Sequence, residues 1–236
     1  MPSNLGGYRD IVTMGVGWGY YCDEISKISK FVYRTILSKA KLHSVRDGYT
    51  ERKFREMGIT NVVNTGCPTL WGLTPEHCAR IPQKKASRVI TTLTDYDRDP
   101  EADRCMLDIL KSSYKQVFVW LQGTEDDSYL QSLIDSGSVQ IIDRDLEQYT
   151  KALDMGDVDY VGTRLHAGIH AMNRGVRTII LAVDNRAAEM GRDFNLPVIQ
   201  RSDVRNQLPE LIAQERTTSV VLPFNTIQQW KTQFRR

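Results

Sequence analysis

Two residues of complementary chemistry, Arg164 and His166, stand two positions apart just after a short apolar run and a glycine–threonine pair. Val158, Tyr160 and Val161 have the character of a buried strand, and Gly162 and Thr163 read as the turn after it. The apolar spacing beyond predicts a helix, with Thr163 as its N-cap and Arg164 and His166 in its first turn. In an open parallel sheet, ligands gather beyond the carboxyl ends of the strands, where helix amino termini aim unpaired N–H groups outward. A guanidinium beside an imidazole at such a point would hold an anion and move a proton. The plain alternative is a surface charge next to a hydrogen-bonded structural histidine.

Other chemistry-bearing groups point to less. His170 lies four residues after His166, the spacing of a zinc pair, but the segment reads HAGIH rather than HExxH and offers no third ligand. No metal is expected. Ser44 and Ser87 lack the nucleophile-elbow pattern, and Cys67, next to Pro68, has no base partner in sequence. Gly15, Gly17 and Gly19 follow an apolar stretch at 10–14, but GxGxG is not the dinucleotide fingerprint, and no acidic residue supports it at the proper distance. They read as a tight turn where the backbone approaches something closely, with no nicotinamide or flavin cofactor. Asp95 and Asp97 follow the strand at 88–94 and either cap the next helix, the preferred reading, or line a cleft.

The elements that must position these groups alternate strand with helix. Residues 10–14 and 42–45 and the pair Val62, Val63 form strands, separated by a helix over 23–37 and a second from Asp47, its N-cap, to Met57, with Gly58 just past its end. Residues 81–87 (IPQKKAS) read as a linker. Strands at 88–94, 116–121, 139–142, 158–161, 177–183 and 197–199 then alternate with helices at 99–112, 126–135, 145–153, the one after Thr163, 186–192 and 204–213. Continuous apolar strands in this rhythm argue for an α/β fold with a doubly wound parallel sheet covered on both faces. In the last fourteen residues Ile227, Trp230 and Phe234 share a helical face. That helix either packs back on the first unit, the preferred reading, or lies on a membrane surface as a peripheral contact.

Hydrophobic residues at 41% and charged residues at 25% describe an ordinary globular protein, and a net charge of +2 is too small to argue for nucleic acid. Four cysteines without paired or metal-ligand spacing read as reduced thiols, and no leader or membrane-span pattern is visible, so the expected location is cytoplasmic.

Three segments, in order, resemble the polysaccharide pyruvyl transferase family. They are Ser44-Val45-Arg46-Asp47 with Thr50, then Cys67-Pro68-Thr69-Leu70, then Gly162-Thr163-Arg164-Leu165-His166-Ala167-Gly168. Gly175-Val176 and Asp184-Asn185-Arg186 continue the likeness, which spans about residue 10 to Pro197. The resemblance implies two Rossmann-like units in the GT-B style, residues 1–80 and 88–222, with a site between them. It implies transfer of pyruvate from phosphoenolpyruvate to a sugar, or to a lipid-linked oligosaccharide, as a ketal. On that likeness His166 and Arg164 are catalytic, and Arg46, Gly162, Thr163, Asp184 and Arg186 bind substrate, with no cofactor beyond the donor.

Family members carry more chain ahead of the GVG strand, on the order of 100 residues, so the first unit is expected to be incomplete. Its thin sheet should leave an apolar edge or helix face exposed and favour a homo-oligomer. Two rival readings are a nucleotide-sugar glycosyltransferase, for which Glu189 is the one candidate ribose ligand, and a non-catalytic remnant that binds an anion or a partner.

Overall fold

The computed structural model describes residues 9–235; residues 1–8, which include the start read for a leader, and Arg236 lie outside them. The first unit holds α1 (Lys27–Ile36), β1 (His43–Val45), α2 (Gly48–Glu56) and β2 (Val62–Asn64), followed by the single turn α3 (Pro75–Cys78). The second runs β3 (Arg88–Thr91), α4 (Pro100–Ser113), β4 (Gln116–Trp120), α5 (Asp126–Leu133), β5 (Gln140–Ile142), α6 (Leu146–Leu153), β6 (Val158–Gly162), α7 (Leu165–Asn173), β7 (Arg177–Ala182), α8 (Asn185–Phe194), β8 (Val198–Gln200) and α9 (Val204–Ala213). A last helix, α10 (Phe224–Thr232), follows.

The six strands of the second unit are all parallel, in the order β5-β4-β3-β6-β7-β8. Chain order runs outward from β3 in one direction and from β6 in the other, so the switch point falls between β3 and β6. Alternate side chains divide between two cores. Val117, Val119 and Leu121 join Leu107, Leu130 and Leu208 on the face covered by α4, α5 and α9. Trp120 joins Tyr149, Ile169 and Met190 on the face covered by α6, α7 and α8. The period of two along each strand thus gives three layers.

The first unit is thinner. Its sheet has two parallel strands, β1 and β2. The strand expected at 10–14 is reduced to isolated bridges, Ile11 with Leu37 and Val16 with Val45. In α2 the Asp47 side chain accepts from Thr50 N at 2.7 Å, the cap its sequence predicts. The first helix starts later than expected, at Lys27, because the Ser26 hydroxyl accepts from Ser29 N. None of its residues is buried, and Ile28 is 77% and Phe31 66% exposed. Met14, Tyr20 and Tyr21 of the same unit are also exposed.

Packing moves the boundary between units. Cys67, Leu70, Leu73, Cys78 and Ile81 share a core with Tyr149, Ile169 and Met172, whereas the first unit's own core ends at Val62. Residues 67–81 therefore pack with the second unit, and the segment 81–87, which holds no helix or strand, begins with a buried Ile81. Helix α10 joins the second unit's core through Ile227, packs on residues 67–81, and reaches the first unit only at its end. Trp230 meets Trp71 with ring centroids 6.0 Å apart, and the Gln233 amide accepts from Leu42 N and donates to Leu42 O. Ile227 and Trp230 are buried, whereas Phe234, the third residue of that face, is 51% exposed. Among the described residues no helix is long and apolar enough to cross a membrane.

Gly168 lets α7 press against β7: a Cβ there would fall 2.6 Å from Ile180 Cγ1 and 3.0 Å from Tyr160 Cε1. Gly168→Ala is expected to cost about 1–3 kcal/mol through overpacking. The measurement is a urea titration, with a lower midpoint at an unchanged slope.

Candidate active site

The site starts where β6 ends. At Gly162 a Cβ would lie 2.6 Å from Thr92 Oγ1 and 2.8 Å from Thr92 N, so β3 and β6 come this close only because the residue is glycine. Thr163 is buried, and its N–H and hydroxyl both donate to Thr92 O at 3.1 Å, with Thr94 Oγ1 another 2.9 Å contact of the hydroxyl. That hydroxyl is spent across the switch point and does not cap the helix. The expected N-cap is therefore corrected: the position belongs to Arg164, whose backbone is extended and whose side chain makes no cap bond. Arg164 O takes the first helical bond from Gly168 N at 3.1 Å and a second from the Tyr160 hydroxyl at 3.0 Å.

The Arg164 side chain turns inward. Nε donates to Leu93 O at 2.7 Å, and Nη2 donates to Asp95 Oδ1 at 2.9 Å and Asp126 Oδ1 at 2.8 Å. The Tyr96 ring lies 5.3 Å from the guanidinium carbon. Asp126, at 1% exposure, also accepts from Gln122 N and Gly123 N at 2.7 Å each. Two carboxylates more than match the arginine's charge, which differs from the free anion clamp expected of Arg164. Here it is a strut joining the turns after β3, β4 and β6. Asp95 is likewise no helix cap: Asp99 caps α4, and Asp97 pairs with Arg201.

His166, by contrast, is exposed on the first turn of α7. It lies on the wall of a cleft of about 720 Å³ that is also lined by Thr69, Trp120, Gln122, His170 and Asn173. Its Nε2 lies 3.6 Å from Cys67 Sγ, the partner that sequence spacing did not reveal. The Thr69 hydroxyl donates to the same sulfur at 3.0 Å. Burial pushes the Cys67 thiol up, but the bonds from His166 and Thr69 outweigh it, and the net shift is downward. His170 points elsewhere, with Nε2 3.0 Å from Thr150 Oγ1. Burial, aided by Arg174, lowers its pKa and keeps it neutral. Among the described residues no group of three His, Cys, Asp or Glu side chains is placed to hold a metal.

The remaining candidates come from both units. Arg46 donates through Nε to Asp47 at 3.2 Å and through Nη2 to Trp18 O at 3.4 Å, the carbonyl that also accepts from Asn185 Nδ2. The close approach read into the glycine-rich turn is to Arg46 and Pro68, which Cβ atoms at Gly17 and Gly15 would strike. Asp184 caps α8 and pairs with Arg186, which also donates to the Tyr96 hydroxyl at 2.9 Å. In Arg46, Arg164 and Arg186 alike, Nη1 makes no hydrogen bond among the described residues. Glu189 is 2% exposed and takes both the Tyr21 hydroxyl, at 2.7 Å, and Arg192 on Oε1, so burial is what keeps it from a ribose. Burial and that bond push the Tyr21 phenol up to about 12, which keeps it a donor.

The strut predicts an unequal pair of variants. Asp126→Ala strips a buried guanidinium of one partner and two turn amides of their acceptor, and is expected to cost about 3–5 kcal/mol. Asp95→Ala should cost less, because Asp126 still balances Arg164. Chemical denaturation of the two variants, side by side, checks the order.

Residues 7–185 match the family model described as polysaccharide pyruvyl transferase, well over half of the chain. No curated protein matches it. Among solved structures, the chain is similar to the UDP-GlcNAc 2-epimerase of Methanocaldococcus jannaschii, determined in complex with UDP-GlcNAc and UDP. The two share 9% identity with a TM-score of 0.50, over 82% of this chain and 61% of that one. At that identity the likeness speaks for the Rossmann-like, GT-B architecture alone, and this chain spans less than two thirds of the epimerase chain's length. The segments around Arg46, Cys67 and His166 and the strand order fit the same conclusion: the chain belongs to the polysaccharide pyruvyl transferase family.

Proposed function

We propose that the chain transfers a pyruvyl group from phosphoenolpyruvate to a sugar of a polysaccharide or its lipid-linked precursor, closing a ketal, in the cytoplasm. The observation that carries this reading is His166: an exposed imidazole on the first turn of the helix after the switch-point strand, on the wall of a cleft wide enough for a sugar. The reaction needs such a group. The donor's methylene carbon takes a proton, the oxocarbenium-like centre is attacked by one hydroxyl, and a second hydroxyl displaces phosphate. Of the two hydroxyl protons, one balances the new methyl group and the other leaves on phosphate. An imidazole gives the first proton and recovers one from an incoming hydroxyl.

The donor carries a phosphate and a carboxylate, and the free Nη1 edges of Arg46 and Arg186 are suited to them. Their paired aspartates, Asp47 and Asp184, fix the orientation of each guanidinium. Arg164 contributes by holding the turn that presents His166. The acceptor lies in the cleft, with Thr69, Gln122 and Asn173 as polar contacts for hydroxyls. In the rival glycosyltransferase reading the one ribose candidate, Glu189, is only 2% exposed and holds Tyr21 and Arg192 on its Oε1.

His166→Ala is expected to lower phosphate release from phosphoenolpyruvate by about 10²–10⁴-fold in the presence of an oligosaccharide acceptor. Its melting temperature should stay near the parent's, because the side chain is exposed. Thermal shift with phosphoenolpyruvate against UDP-sugars provides the second measurement. Stabilisation by the UDP-sugar alone, or undiminished phosphate release by the variant, overturns the assignment.

A further inference from the structure

The Cys67–His166 contact joins residues 99 positions apart, one on the turn that leads into residues 68–70 and one on α7, on the edge of the cleft. Three features make it more than proximity. The sulfur faces Nε2 of the imidazole at 3.6 Å. It accepts a hydroxyl hydrogen from Thr69 at 3.0 Å, an arrangement that favours a negatively charged sulfur. The imidazole's second nitrogen, Nδ1, has no hydrogen-bond partner among the described residues and remains for a ligand.

The surroundings supply no competing proton. His170, one turn along α7, stays neutral through burial and the nearby Arg174. The Tyr149 phenol from α6 is held protonated by burial and donates to Ala167 O at 2.9 Å. Arg164, on the preceding turn, is matched by Asp95 and Asp126. The groups acting on the Cys67 sulfur are His166 and Thr69.

We infer that Cys67 is a positioning residue for His166: it anchors Nε2, shares a proton with it, and leaves Nδ1 as the nitrogen that gives and takes the proton of the reaction. The arrangement has the logic of a base oriented by a third group, with a thiol where a carboxylate would otherwise stand. The thiol proton passes from Sγ to Nε2, and the Nδ1 proton passes to the donor's methylene carbon. Nε2–H then faces a thiolate until Nδ1 regains a proton from the incoming hydroxyl, which restores the pair. This inference rests on the reading of His166 as the proton-handling group, and two separate measurements test the pair and its use.

The first needs no substrate. Thiolate absorbance near 240 nm is titrated in the full chain and in Cys67→Ala, and the difference isolates Cys67 from Cys22, Cys78 and Cys105. The Cys67 signal should develop at lower pH than that of an ordinary thiol, and move to higher pH in His166→Gln and in Thr69→Val. Because His166 is exposed, the glutamine variant is expected to fold even if a change at Cys67 is poorly tolerated. A midpoint that ignores both substitutions overturns the pair. The second is the pH profile of pyruvyl transfer in Cys67→Ser. A fall in kcat of at least about tenfold at neutral pH, within the ~10²–10⁴ a general acid/base supplies, together with a shifted limb of the profile, supports the positioning role. An unchanged profile overturns it. If the parent chain transfers no pyruvate, the function proposal fails while the absorbance titration still decides the pair.

Discussion

The geometry of the site depends on one largely enclosed arginine. Arg164 sits at the point where the strand order reverses, and its fork reaches the turn after β3 through Leu93 O and Asp95 and the turn after β4 through Asp126. Three loops that share no covalent connection nearby are fixed by one planar group. A lysine in its place would offer one nitrogen where the arginine offers two in a fixed plane. The desolvation cost of burying that charge is offset because each partner is itself anchored: Asp126 by two amides at the head of α5, Asp95 by the N–H of Glu125. The threonine and tyrosine hydroxyls around Thr92 then satisfy the backbone where β3 and β6 meet.

That staple explains why adjacent residues behave in opposite ways. Arg164 is the last extended residue before α7 and points into the sheet's end; His166, two positions on, has rotated with the helix to face solvent. Immobility in one serves freedom in the other, since an imidazole presented from a rigid turn loses little orientational freedom when a substrate arrives. The same separation appears within two other side chains. Arg46 and Arg186 keep Nε and Nη2 on their anchors and turn Nη1 to no protein partner among the described residues.

Much of this was legible along the chain, and the part that was not has a physical reason. Asp47 caps α2 through Thr50 N, a local bond that the order Arg46-Asp47 with Thr50 announces, and the alternating apolar runs from Arg88 onward give the parallel sheet and its two cores. Thr163 misled because a threonine before a helix normally caps it, whereas here the neighbouring strand claims the hydroxyl first. Asp95 read as a cap because its true partner, Arg164, is 69 residues away. Cys67 showed no partner because His166 lies 99 residues away, on α7. Local spacing reports local bonds, and each of these three is tertiary.

The position of residues 67–81 carries the argument one step further. In sequence they close the first unit, yet Cys67, Leu70, Leu73 and Cys78 are set in the core beneath α7. The thiol therefore moves with His166 rather than with the thin β1–β2 sheet. Had Cys67 belonged to the first unit's small core, any hinge between the units would have broken the contact at each opening. Because it shares a core with Ile169 and Met172, the sulfur–imidazole distance is set by side-chain packing of interior density, while Arg46 follows Val45 of the first unit's core. The Cys67–His166 pair and Arg46 thus lie on different bodies of packing.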